Sequence, residues 1–190
     1  MKITKYDFKT LLQKMRQGFF KTQYKKHSVF IFLSVMIILG LIFYALFLPS
    51  LFFQNRFHTV YINLNAKISG LLISVFTKNI SVSGSNISMP GYSISLIKGC
   101  EAIEPTAFFI FAILAFPASL KKKIFGLISG FIILFILNLV RIISLFYLGY
   151  YYPGIVNEVH VYLWPAIYIV ITIFIWLVWM RWTLVPDKKN

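Results

Sequence analysis

The sequence predicts an all-α polytopic membrane protein with about four transmembrane helices, an amphipathic helix and a short exterior β-hairpin. Of its 190 residues, 59% are hydrophobic and only 13% are charged, whereas a soluble domain is nearer half apolar and a quarter charged. The net charge is +14, and nearly all lysines and arginines flank apolar segments. Basic residues orient membrane spans in this way, so the charge does not indicate a nucleic-acid partner.

Four apolar runs are long enough, at about 20 residues each, to cross a hydrocarbon core of roughly 30 Å as helices. They are Ser28–Leu48, Ala102–Leu120, Ile124–Tyr147 and Val161–Met180. The first is too long for a cleaved signal peptide and lacks a clear small-x-small cleavage site, so we expect a retained span. Residues 1–27 are expected to form a basic cytoplasmic lead-in helix, and residues 28–190 a single membrane-embedded domain.

The basic residues at the ends of these runs orient the spans. They precede the first span, occupy the expected loop between the second and third, and follow the fourth (Lys2, Lys5, Lys9, Lys14, Arg16, Lys21, Lys25, Lys26; Lys121, Lys122, Lys123; Arg181, Lys188, Lys189). With four spans, all three clusters lie on one face, which the positive-inside tendency makes cytoplasmic. We therefore expect a multi-pass protein of the inner, cytoplasmic membrane with both termini inside.

Phe57–Thr77 is moderately apolar but contains His58, Asn63, Asn65 and Lys67. If this segment crossed the membrane, the basic clusters would no longer share a face. A charged residue near the middle of a span also costs at least a few kcal/mol. We therefore expect an amphipathic helix that lies on the outer surface or is half-inserted there.

Ile80–Ile97 alternates apolar and small polar residues around two turn signals, Ser83–Asn86 and Pro90–Gly91. A period of two residues is typical of strands. The segment is therefore predicted to form a short exterior hairpin.

Three residues suited to nucleophilic chemistry converge on the outer side of this topology. Cys100, the only cysteine, precedes the second span. Arg141 lies about 25 Å up the third, at 1.5 Å per residue from Ile124, and His160 immediately precedes the fourth. Each has an ordinary alternative: the cysteine as inert packing, the arginine snorkelling to headgroups, and the histidine as an interfacial residue.

Together, these side chains make a known kind of nucleophilic site. A thiolate is the nucleophile, a histidine can take its proton and later return it to a leaving amine, and an arginine can stabilise developing negative charge. Glu101 and Glu104 act against this chemistry unless they are paired, protonated or turned away. Glu158 could orient the imidazole or pair with Arg141.

These residues stand in motifs that resemble the exosortase/archaeosortase family of membrane transpeptidases. The motifs are "KGCEAIEPTAFF", "NLVRIISLFYLG", which contains Asn138 and Arg141, and "NEVHVYLWPA". The resemblance covers roughly Ile80 to Trp179 and is nearest to the short exosortase H type. In many members Ser-Gly or a similar small pair follows the cysteine, where this chain has Glu101–Ala102. Full-length members commonly carry more spans.

The resemblance implies a protein-sorting enzyme. Nothing in the sequence suggests a metal or organic cofactor, because there is no second histidine at ligand spacing and no glycine-rich phosphate loop. The enzyme's partners would be the lipid bilayer, the C-terminal tail of exported proteins (a short motif, an apolar span and a basic end), and an unidentified acceptor. Cys100 would attack the motif outside the membrane and form a thioester, with His160 as acid and base and Arg141 stabilising charge. The alternatives are a membrane cysteine protease that only hydrolyses and a non-enzymatic assembly factor for export or exopolysaccharide machinery. A transporter fits least, because only one charge is clearly intramembrane and no inverted repeat is evident.

Overall fold

The computed structural model describes residues 27–47, 58–97, 100 and 102–184. The predicted lead-in helix and the basic residues 188 and 189 lie outside these residues. Five helices and one small sheet follow in chain order: α1 (His27–Phe47), α2 (His58–Ser74), β1 (Ser81–Ser83), β2 (Asn86–Met89), β3 (Tyr92–Ser95), α3 (Ile103–Ala115), α4 (Leu120–Tyr151) and α5 (Val156–Leu184). The protein is therefore mostly helical, as the sequence predicts.

The helix between Cys100 and the lysine cluster is shorter than predicted. α3 has 13 residues, which is about 20 Å of helix and less than the roughly 30 Å hydrocarbon core. It ends because Pro117 disfavours helical backbone at the preceding residue, and Phe116 is extended, with φ −73° and ψ 134°. The prediction of one helix through Leu120 was wrong.

The lysines before the third predicted span belong to a helix and not to a loop. α4 begins at Leu120, so Lys121, Lys122 and Lys123 lie in its first turn. Lysine is a good helix former, and the Lys123 backbone N–H bonds to the Ser119 carbonyl at 3.0 Å. α4 is 32 residues long and continues past the predicted end at Tyr147.

Two of the described helices, α4 and α5, are long and apolar enough to cross a membrane, and Phe30–Ala45 and Ile103–Ala115 are shorter apolar helices. The predicted count of four spans stays a prediction. Exposed apolar side chains cover the outer faces of α4 and α5, among them Phe131, Ile132, Ile169 and Phe174. This distribution is the one expected for helices that contact lipid.

The sheet has three antiparallel strands in the order β1-β2-β3, which is one strand more than a single hairpin contains. Both turn signals are used, and each reverses the chain once. The second turn places Gly91 at φ +80°, a left-handed conformation that glycine adopts without steric cost after a proline.

The helices α3, α4 and α5 pack around one apolar cluster. It includes Phe109, Ile113, Leu134, Tyr168 and Trp179. Gly126 and Gly130 of α4 allow close approach, because a Cβ would overlap the Trp179 indole at the first and the Phe109 ring at the second. Small residues four apart bring membrane helices close together in this way.

Side-chain hydrogen bonds to the backbone of α4 reinforce the same packing. The Tyr168 hydroxyl donates to the Leu134 carbonyl at 2.7 Å, and the Trp179 indole N–H donates to the Lys122 carbonyl at 2.9 Å.

Together, α2 and the sheet form a unit that we call the cap. A second apolar cluster joins the cap to the C-terminal half of α4. Ile62, Ile73 and Ile87 of the cap are buried with Ile142 and Phe146 of α4, and Cys100 packs against them. The predicted amphipathic segment is thus a helix with one buried face, and its position relative to the membrane surface stays a prediction. The cap brings Cys100 to the level of Arg141.

Candidate functional site

Cys100 and His160 are in contact. The sulfur lies 3.6 Å from His160 Nε2, a hydrogen-bonding distance for the larger sulfur atom, with the direction of donation set by the histidine tautomer. The two residues are 60 positions apart in the chain. The packing of the cap and α5 against α4 therefore creates a thiol–imidazole pair that neither segment contains alone.

Cys100 lies in the connection between the sheet and α3. Its backbone N–H bonds to the Ile97 carbonyl at 3.0 Å. Two residues later, Ala102 is left-handed, with φ 53° and ψ 33°, and is only 5% exposed. This conformation costs an L-residue with a side chain roughly 1–2 kcal/mol, whereas glycine adopts it without steric cost.

His160 lies inside α5, which begins five residues before the predicted start of the fourth span at Val161. The position of His160 relative to the membrane stays a prediction. Residues Val159–Leu163 form a π turn, in which the Trp164 N–H bonds to the Val159 carbonyl. Pro165 follows this turn and lacks the N–H needed for a bond to the carbonyl four residues earlier. π turns within α-helices are frequent at functional sites, and hydropathy alone gave no signal of this one.

Arg141 is 7% exposed and projects from α4 about 30 Å along the helix from Leu120. Arg141 lines the same pocket as Cys100 and His160. The burial does not fit an arginine that snorkels into lipid headgroups. Arg141 therefore belongs with the thiol and the imidazole.

These three side chains line an open pocket of about 230 Å³. Its other walls come from β3 and the segment after it, from α4, and from the start of α5 (Tyr92, Ile94, Ser95, Leu96, Ile142, Leu145, Val156, Asn157). Burial raises the pKa of the Tyr92 phenol above its ordinary value. The hydroxyl therefore stays protonated at neutral pH and can donate a hydrogen bond.

Glutamates were also predicted as supporting residues of the site. The two that the structure describes lie outside the pocket. Glu104 is exposed in the first turn of α3, and Glu158 is exposed near the start of α5. Neither lines the pocket, and Glu101 lies outside the described residues. Among the described residues, no three His, Cys, Asp or Glu side chains group as metal ligands.

A buried amide pair connects α2 to α4 one helical turn before Arg141. Asn138 Nδ2 donates to Asn65 Oδ1 at 3.1 Å, and Asn65 Nδ2 donates to the Tyr61 carbonyl at 2.8 Å. Both asparagines are 1% exposed. Sequence reasoning placed Asn138 near the site only through its motif and missed Asn65, whose one signal was a polar residue in a moderately apolar segment.

Replacing either asparagine of this pair with leucine is expected to lower the free energy of unfolding by about 1–3 kcal/mol, because the remaining amide loses a buried partner. The double variant Asn65→Leu/Asn138→Leu should lose less than the sum, because it leaves neither amide of the pair. Denaturant unfolding in detergent, followed by tryptophan fluorescence, measures the three values. Strictly additive losses would show that the two amides are not coupled.

A helical membrane protein that holds a cysteine against a histidine in a pocket has the design expected of a membrane-embedded cysteine peptidase. The chain belongs to the transmembrane exosortases, since the family model of that description (Exosortase_EpsH) matches residues 30–162. The match spans Cys100, Arg141 and His160 and begins well before Ile80. No curated protein and no solved structure matches the chain. Family membership indicates a transpeptidase-like or protease-like membrane enzyme whose substrates are proteins.

Proposed function

We propose that this exosortase cleaves the C-terminal sorting tail of exported proteins and transfers them to a surface acceptor through a thioester on Cys100. The observation that carries the proposal is the 3.6 Å contact between the sulfur and His160 Nε2. Arg141 lines the same pocket and supplies a positive charge there. Family membership alone would not show that this charge lies near the sulfur. An inert packing cysteine would need neither neighbour.

In the proposed reaction, the Cys100 thiol gives its proton to the imidazole, and the sulfur bonds to the carbonyl carbon of the scissile peptide. The C–N bond then breaks, and the electron pair leaves with the nitrogen. That nitrogen takes the proton from the imidazolium, so the tail departs as an amine. The upstream protein remains on the sulfur as a thioester.

The second half of the reaction releases the protein. An amine or hydroxyl of the acceptor attacks the thioester carbonyl and passes its proton through His160 to the departing sulfur. Water in place of the acceptor would give simple hydrolysis through the same acyl-enzyme. In both halves, Arg141 stabilises the oxyanion of the tetrahedral intermediate.

The position of the pocket along α4 suits a substrate whose apolar tail lies in the bilayer. Arg141 is about 30 Å along α4 from Leu120, and Lys121–Lys123 occupy the opposite end. If the lysines are cytoplasmic, the pocket opens near the outer boundary of the cytoplasmic membrane. The short motif that precedes the tail would then reach Cys100 without leaving the interface.

Cys100→Ala is expected to abolish processing of a tail reporter, which we define as an exported protein that ends in a short motif, an apolar span and a basic end. Candidate tails come from exported proteins of the same organism. Hydroxylamine should release the reporter from the unmodified enzyme as a hydroxamate, because it attacks the thioester carbonyl. Without hydroxylamine, mass spectrometry of the new C-terminus of the processed reporter distinguishes an acceptor adduct from a free carboxylate.

Ser129→Ala provides the matched control, because Ser129 is on α4 well below the pocket and only bonds back to its own helix. This variant should process the reporter normally. Labelling of Cys100 by a membrane-impermeant maleimide in intact cells tests the orientation separately. Processing by Cys100→Ala would overturn the proposal.

A further inference from the structure

We propose that the outer edge of β3 binds the substrate motif as an added, fourth strand, and so delivers the scissile bond to Cys100. This inference rests on the proposed function and adds how the peptide is held. Strand addition gives affinity through backbone hydrogen bonds, while pockets for alternate side chains give specificity.

β3 is an edge strand of the sheet. In the order β1-β2-β3, its only neighbour among the described strands is β2. Exposed strand edges are usually protected by charged residues, prolines or bulges. β3 has the sequence YSIS, with neither charge nor proline, and its serines are exposed.

The register identifies the backbone groups that point away from the sheet. The Leu96 N–H bonds to the Ser85 carbonyl at 3.0 Å, and bonded pairs alternate along an antiparallel ladder. The bonded pairs are therefore Ile94 with Ile87 and Tyr92 with Met89. The N–H and C=O groups of Ser93 and Ser95 consequently point outward.

The pocket borders β3 and not the other two strands. Tyr92, Ile94 and Ser95 of β3 line it, whereas its lining includes no residue of β1 or β2. Arg141 and His160 line the same pocket. A peptide paired with the outer edge would thus run between the sheet and the residues proposed for the chemistry.

The dimensions match a short motif. Four residues of strand extend about 13 Å, enough to pair with a segment of three or four residues. Cys100 follows β3 after a brief connection and lies beside the same pocket. A carbonyl at the end of the paired segment would be within reach of the sulfur.

Backbone pairing tolerates many sequences, so a generic peptide can test it on the full chain in detergent. The probe is acetyl-Ala-Ala-Ala chloromethyl ketone, and its comparison compound carries an N-methyl group on the middle residue, which removes one backbone donor. Iodoacetamide reports the intrinsic reactivity of Cys100, the only thiol. Alkylation requires the thiol but not turnover, so the result does not depend on whether Cys100 is catalytic.

On the unmodified protein, N-methylation is expected to slow labelling of Cys100 by about tenfold, because one hydrogen bond is lost. Ser95→Pro removes an outward N–H, which would donate to a carbonyl of the added strand, at an edge position where proline is tolerated. It should therefore slow labelling by the unmethylated peptide by a similar factor, measured relative to iodoacetamide labelling of the same variant. Ser95→Ala, which keeps the N–H, should be labelled by the unmethylated peptide faster than Ser95→Pro, again relative to iodoacetamide. Equal labelling by the two peptides on the unmodified protein would overturn the inference, even if Ser95→Pro failed to fold.

Discussion

Replacing His160 with alanine is expected to slow thioester formation by about 10²–10⁴-fold, the usual contribution of a positioned general acid–base. The physical reason is that the Cys100 sulfur, 3.6 Å from Nε2, loses the group that takes its proton and later returns it to the leaving nitrogen. Rapid quenching of the tail reporter with purified enzyme, followed by quantification of the thioester, measures the effect.

Added imidazole distinguishes a catalytic role of His160 from a purely structural one, and the catalytic role predicts rescue. Added imidazole can enter the space left by the side chain and act as the missing base, so it should restore part of the rate to His160→Ala. Tyr162→Ala is the matched control, because Tyr162 lies in the same π turn and is 72% exposed. If the control lost activity equally, or imidazole had no effect, disturbance of the turn would explain the loss.

Replacing Arg141 with methionine is expected to lower the rate of thioester formation by about 10²–10³-fold, the range found when one oxyanion-stabilising donor is removed. Lysine at the same position should recover part of this loss, because it keeps the charge but not the planar fork of donors. The same quench measurement applies, with the unfolding temperature as a check that each variant folds.

Val140→Met is the matched control for Arg141→Met. Val140 precedes Arg141 on α4 and is 49% exposed, so the substitution adds the same side chain outside the pocket. This variant should keep its activity. Normal thioester formation by Arg141→Met would remove the arginine from the proposed mechanism.

The helical segments could be predicted because hydropathy is a local property. Long apolar runs have few other stable conformations in a bilayer, where every backbone polar group must be bonded internally. Their ends were harder to predict, since they depend on single residues. Pro117 ends α3 early, whereas three lysines do not prevent α4 from beginning at Leu120.

The residues of the site could be predicted from the sequence, but the contacts that hold them in place could not. Cys100, Arg141 and His160 were identified from residue type and expected depth, and they do line one pocket. The π turn that holds His160 and the amide of Asn65 against Asn138 were not foreseen. Both depend on side chains from other elements or on backbone hydrogen bonds, which a hydropathy pattern does not report.

By itself, the sequence determined that this protein belongs in a membrane, which segments are helical, and which three side chains suit nucleophilic chemistry. Only the tertiary structure decided that the sulfur contacts the imidazole, that an amide pair joins α2 to α4, and that the edge of β3 borders the pocket. Composition and periodicity describe residues that lie close together in the sequence. These contacts join residues 60 and 73 positions apart, and only the packing of whole elements brings such residues together.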